Sequence, residues 1–201
     1  MRTVSALFDD YQDARKAVSE LEAVGIPSDD ISIVANNAGE RYSDEASGAA
    51  TGAGTGAGLG AAGGGAIGLL TGLGLMAIPG VGPVVAAGWL ASTAAGAAAG
   101  AVAGGAAGGI IGALTDSGVP EQEAHFYAEG IRRGGTLVSA RVDEGRAPQV
   151  LAILQKSNWV DPTERRRAYT EEGWARFDGA AAPYTPDEIE RERERYRTMR
   201  G

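Results

Sequence analysis

Gly68-Leu69-Leu70-Thr71-Gly72-Leu73-Gly74-Leu75-Met76-Ala77-Ile78-Pro79-Gly80-Val81-Gly82-Pro83-Val84-Val85-Ala86-Ala87-Gly88-Trp89-Leu90 is the stretch on which the fold turns. Its centre, Pro79 to Pro83, cannot continue a helix, because proline lacks the N–H and clashes with the preceding turn. Glycine recurs every fourth residue on either side. The first series is Gly52, Gly56, Gly60, Gly64, Gly68 and Gly72. The second is Gly88, Ser92, Gly96, Gly100, Gly104, Gly108 and Gly112. This spacing predicts a helical hairpin whose two rods each present a strip of bare backbone to the other. Such small-xxx-small repeats are a packing signature of helices in membranes.

Magnitudes set the environment such rods would need. Residues 46–115 hold 22 Gly and no charged side chain. At about 1 kcal/mol per Gly relative to Ala, the helical penalty in water is on the order of 20 kcal/mol. In hydrocarbon an unpaired backbone group costs several kcal/mol, so helix is favoured there. As helices, 52–78 and 83–114 would reach about 40 and 48 Å, beyond the roughly 30 Å of a bilayer core. The large apolar residues gather near the turn, and the outer parts are mostly Gly, Ala and Thr. Two variants follow: a two-pass hairpin, or a tip-inserted one whose stem packs in an oligomer. The competing reading is a flexible Gly/Ala linker. The regular period and the apolar tip argue against it.

Working outward, charge divides the chain. Residues 1–45 carry ten acids against four bases, and 116–201 carry sixteen against fourteen, within a total of −8 over 201 residues. That balance argues against nucleic acid as a partner. With no Cys, thiol chemistry, disulfides and Cys zinc sites are excluded. The N-terminus meets Asp9 and Asp10 before an apolar signal region can form, so the charged flanks read as cytoplasmic.

Each flank reads as β-α-β. Residues 2–8 suit a strand, Asp9 and Asp10 a helix cap, and Tyr11, Ala14, Val18 and Leu21 a helical stripe. Gly25 ends the helix, Pro27 to Asp30 turns, and Ile31 to Ala35 is a β-branched strand. After the insert comes a helix from Pro120 to about Arg133, then a strand over 135–142. A helix on Ala147, Val150, Leu151 and Leu154 follows, with a short edge strand at 158–161. The expected fold class is therefore α+β: a ferredoxin-like split β-α-β domain interrupted by the hairpin, with a charged helical tail. Its parts are residues 1–45, 46–115, 116–161 and 162–201.

Motifs for chemistry are weak. Gly58-Leu59-Gly60-Ala61-Ala62-Gly63 fits G-x-G-x-x-G, but no strand precedes it and no acid lies about 20 residues on, so dinucleotide binding fails. His125 could share a metal with Glu121 and Glu129 at i−4 and i+4, yet a lone His on a helix is more often a surface or interface residue. No G-x-S-x-G elbow exists. The expectation is no enzyme, no cofactor and no metal site.

In the tail, Arg165-Arg166-Arg167 reads as a solvated or headgroup-facing cluster. Thr185 caps a helix with Pro186 at its first position, and residues 187–199 alternate in charge. Trp174, Phe177 and Tyr184 are the candidate docking anchors.

Several of these residues carry a resemblance. Ala6-Leu7-Phe8-Asp9-Asp10 with Ala14 and Ala17, the Gly25-Ile26-Pro27 turn and Ile31-Ser32-Ile33-Val34 resemble the bacterial general stress protein domain, the heat-induced YflT-like domain. So do Val119-Pro120-Glu121, Ala124, Tyr127, Gly130 and Gly134 to Val138. The resemblance implies a bacterial, non-enzymatic, stress-associated protein and brings no active-site residues. With the glycine ladder it sets the functional expectation: a stress protein associated with membrane lipid, or self-assembling as a homo-oligomer. It would sit at the inner membrane with a cytoplasmic domain. The alternative is a cytoplasmic homo-oligomeric scaffold that binds protein partners through its tail.

Overall fold

The computed structural model describes residues 1–40, 42, 74–78, 80–93 and 108–199. The strands are β1 (Arg2–Phe8), β2 (Ile31–Asn36), β3 (Gly74–Ile78), β4 (Gly82–Gly88) and β5 (Thr136–Val142). The helices are α1 (Tyr11–Ala23), a short α2 (Ala113–Asp116), α3 (Glu121–Arg132), α4 (Ala147–Lys156), α5 (Pro162–Glu171) and α6 (Pro186–Met199). All strand pairs in the sheet are antiparallel, in the order β1-β5-β2-β4-β3.

The sequence signals on the flanks act as expected. Asp10 caps α1 by accepting from Gln12 N at 2.7 Å. Tyr11, Ala14, Ala17, Val18 and Leu21 all face inward. β5 runs between β1 and β2, pairing Leu7 with Leu137 on one side and Ile33 with Val138 on the other. β5 thus lies between the two strands of the first β-α-β unit, in a five-stranded sheet. The expected edge strand at 158–161 is reduced to a bridge between Trp159 and Phe8, with Val160 N donating to Leu7 O at 2.8 Å.

Both faces of the sheet are covered. On one, α1 and α4 bury Phe8, Ile33, Val85, Val138, Val150 and Leu154 together. On the other, α3 and the C-terminal segments bury Leu7, Val34, Val84, Leu137, Phe126 and Tyr169. Strands covered on both sides lose the polar/apolar alternation of a half-exposed sheet. That explains why β2 is buried at all six positions.

The same fact corrects the helical hairpin reading over its central part. Gly74–Ile78 and Gly82–Gly88 pair as a β-hairpin, with Ile78 opposite Gly82 and Val81 N donating to Ile78 O at 3.0 Å. β4 then pairs with β2, from Ser32 against Gly88 to Asn36 against Val84. A short, continuous apolar run such as Val84-Val85-Ala86-Ala87 fits a doubly buried strand as well as a helix. Burying it beside β2 supplies backbone partners that β2 would otherwise lack on that side.

Gly88 shows the difference most sharply. It ends β4 with φ +83, and a Cβ there would meet the Ile31 carbonyl and lie 2.8 Å from Ser32 Cα. It is a close-approach residue of the sheet and not a rung of a helix ladder. Ser92 lies in a helical turn over 89–93 and donates to Trp89 O at 2.9 Å. Gly108 and Gly112 bound a π-type turn leading into α2, kinked at Gly109. Gly52, Gly56, Gly60, Gly64, Gly68, Gly72, Gly96, Gly100 and Gly104 lie outside the described residues. Among the described residues, no helix is long and apolar enough to cross a membrane.

Candidate interaction site

Among the described residues, the densest polar construction is where the C-terminal segment folds back onto the sheet. The last turn of α3 places Glu129 and Arg133 on one face at i,i+4, and Arg133 Nε donates to Glu129 Oε1 at 2.7 Å. Arg133 Nη1 reaches Glu192 Oε2 of α6 at 3.1 Å and Tyr196 Oη at 3.5 Å, and it also contacts Glu172. Its guanidinium sits 4.2 Å from the ring centre of Tyr169. Burial works against this charge, but the hydrogen bonds it donates to Glu129 and Glu172 outweigh it and hold the Arg133 pKa above its ordinary value. One buried cation thus joins α3, α6 and the end of α5.

A second hub lies beside it. Arg165 of α5 forms a two-pronged pair with Asp9, both contacts at 2.8 Å, and its guanidinium lies 3.5 Å from the ring centre of Tyr196. Asp9, read from sequence as a capping residue, is thus a pairing residue, while Asp10 does the capping. Tyr169 is fully buried, and burial pushes its phenol pKa well up. Burial also comes first in raising Tyr196, whose Oη donates to Glu192 Oε2 at 2.7 Å.

The tail backbone is fitted as closely as its charges. α6 opens with a capping box: Glu188 N donates to Thr185 Oγ1 at 3.3 Å, and Thr185 N to Glu188 Oε2 at 2.8 Å. Ile189, 1% exposed, packs into the notch left by Gly134, which turns at φ +99 and has no room for a Cβ. Arg193 Nη2 donates to Gly134 O at 2.7 Å. The β3–β4 turn lies against the backbone of Asp178 and Gly179.

The three sequence-predicted anchors are brought together here, inside the same chain. Phe177 is buried in the core, and Trp174 packs edge-on to Tyr169 at 5.7 Å. Tyr184 is half-buried, with the Arg132 guanidinium 4.9 Å from its ring centre, and burial leads in raising its pKa. Sequence reasoning missed Arg133 and Tyr169, read Arg165 as part of a solvated or headgroup-facing cluster, and gave Ile189 and Tyr196 no docking role of their own. Ile189, Glu192 and Tyr196 share one face of α6, a three- and four-residue spacing that could have revealed the docked side.

His125 is buried on α3 with Nε2 3.6 Å from Glu121 Oε1. Glu129, the other carboxylate considered for a metal there, is turned to Arg132 and Arg133. Among the described residues, no group of three or more His, Asp or Glu is placed to hold a metal ion.

Residues 3–78 match the family model described as the heat induced stress protein YflT domain. The match takes in β1, α1, β2 and β3. It leaves α3, β5 and α4 outside, although those elements complete the sheet and its cover. No curated protein and no solved structure matches the chain.

Proposed function

We propose that this chain, whose residues 3–78 match the heat induced stress protein YflT domain model, is a general stress protein that performs no chemistry of its own and self-assembles through its glycine ladder. The observation that carries the reading is the unbroken spacing of Gly52, Gly56, Gly60, Gly64, Gly68 and Gly72. Bare backbone repeated each turn lets two such segments approach closely only when paired, so the ladder favours association over isolation.

The topology narrows how lipid could enter. β2 and β3 both pair antiparallel with β4 and so run parallel, which means the chain between them joins opposite ends of one sheet and, if it entered a membrane, would have to come back out on the face it entered. It has 31 residues at 43–73, fewer than the roughly 40 that two helical passes require. The second ladder retains 14 residues, 94–107, between elements that both pack on the domain, and these reach about 21 Å as a helix. A two-pass span is therefore set aside. Lipid contact, in this proposal, is shallow insertion at the inner face of the membrane, secondary to self-association. A second reading keeps the protein in the cytoplasm as a homo-oligomeric scaffold that binds partners through its tail. It is supported by the exposed, charged outer face of α6.

The test is the size of the full-length protein without detergent, measured by light scattering, for the wild type and the Gly60→Leu and Gly100→Leu variants. A discrete oligomer that the substitutions dissociate supports the proposal. Unchanged mass in both variants removes the ladder from the explanation. Release from membranes by carbonate would separate surface attachment from insertion.

A further inference from the structure

Away from the tail clasp, α3, α5 and the segment after α5 border an open cleft of about 560 Å³. Arg166, Arg176, His125, Trp174, Thr170 and Glu121 are among its lining residues. Two cations and one carboxylate make it locally positive on a chain whose net charge is −8.

The two arginines differ from those of the clasp. Arg133 and Arg165 are matched to carboxylates, whereas Arg166 and Arg176 have no carboxylate partner among the described residues. Arg166 is also held in place: its guanidinium lies 5.4 Å from the ring centre of Phe126, a fully buried side chain. A half-buried guanidinium has lost part of its hydration without gaining an anion in exchange, and its planar fork suits oxyanions. Beside it, His125 Nδ1 and Trp174 Nε1 are buried nitrogens with no hydrogen-bond partner among the described residues. Unpaired buried polar atoms are uncommon in folded proteins and ask for a reason.

We propose that this cleft binds an oxyanion, a carboxylate or phosphate group carried by a small molecule. Arg166 is the fixed contact on the cleft wall and Arg176 the exposed one at the rim. Glu121 stands as the opposing charge that keeps affinity modest and selects against non-specific polyanions. The site is independent of the glycine ladder and of the self-assembly reading.

His125 is the only histidine, so its ring Hε1 proton is an unambiguously assignable signal in the full-length protein. The experiment follows that signal by NMR at fixed pH and constant ionic strength. Inorganic phosphate is the probe in one arm and benzoate in the other, each replacing chloride. A saturating shift in either arm, with half-saturation raised about tenfold by Arg176→Gln, supports the site and says which oxyanion it prefers. Arg176 is exposed and contacts no carboxylate, so its variant retains the fold, checked by an unchanged melting temperature. Arg166→Gln combined with Arg176→Gln should abolish saturation. A shift that never saturates, or that persists in the double variant, overturns the proposal.

Discussion

Replacing Gly88 by Ala separates the two readings of the central segment by the sign of its effect. On a solvent-exposed helix the change should stabilise by about 1 kcal/mol. In the observed sheet Gly88 has φ +83, and putting a side chain into the left-handed region costs about 1–2 kcal/mol. The new Cβ would also meet the Ile31 carbonyl and lie 2.8 Å from Ser32 Cα. Those are backbone atoms of β2, so no rotamer change relieves the contact, and the strands must part. Overpacking of this kind adds about 1–3 kcal/mol. The expected loss is about 2–5 kcal/mol. At roughly 2–4 °C per kcal/mol for a chain of this size, the melting temperature should fall by about 4–20 °C. Thermal unfolding followed by circular dichroism reads this directly, with urea unfolding as a check. A Gly88→Ala protein as stable as the wild type, or more so, would refute the β2–β4 pairing and restore the helical reading.

Arg133→Gln leaves the Glu129 side chain, 1% exposed, with only Arg132 at 3.4 Å as its ionic partner. Removing one member of a buried pair costs about 3–5 kcal/mol. Urea unfolding should show a loss of that size, and one below about 1 kcal/mol would mean that the tail is not clasped through Arg133. Alkaline pH gives a separate check. Tyr127, Tyr169 and Tyr196 have raised pKa values, with burial the leading cause in each. Unfolded phenols ionise near pH 10 and the folded ones resist, so the folded state holds these protons more tightly. Their stabilising contribution is full below pH 10 and is lost as the pH rises through the folded values. Phenolate absorbance from these residues should therefore emerge together with loss of ellipticity. Its emergence well before unfolding would contradict their burial.

The parts of the fold legible in sequence were those governed by local chemistry. Asp10, Gly25, Pro120 and the Thr185 cap marked helix ends because capping and left-handed turns depend on only a few neighbouring residues. β1, β2 and β5 were found because their flanking turn residues isolated them. What failed was residues 74–88, where Gly, Val and Ala suit two structures and the decision lies with a distant partner, the open side of β2. The period of four drew Gly88 into a helix series although its role is close approach to Ile31. The candidate site divided in the same way. Trp174, Phe177 and Tyr184 stood out as aromatics in polar surroundings. Arg133 and Arg165 looked like ordinary surface charges, since nothing local announces that Glu192 and Asp9 will meet them.

The clasp also limits how the tail can recruit a partner. Phe177, Ile189 and Tyr196 are already buried within their own chain. A tether as short as the segment joining α5 to α6 holds α6 near its dock at an effective concentration on the order of 1 mM. A partner present at about 1 μM and competing for the same face must therefore bind it about a thousandfold more tightly than the dock does, which is about 4 kcal/mol. That is a steep requirement for a face already matched to Arg133, Gly134 and Arg165. A scaffold acting through its tail would more economically use the other side of the helix, where Asp187, Arg191 and Glu194 are exposed. Reversing charge there, for example with Arg191→Glu, should weaken such a partner without loosening the clasp, whereas Tyr196→Ala should loosen the clasp first. Loss of partner binding in Tyr196→Ala but not in Arg191→Glu would show that the docked face is the recruiting one and that α6 must leave its site to act.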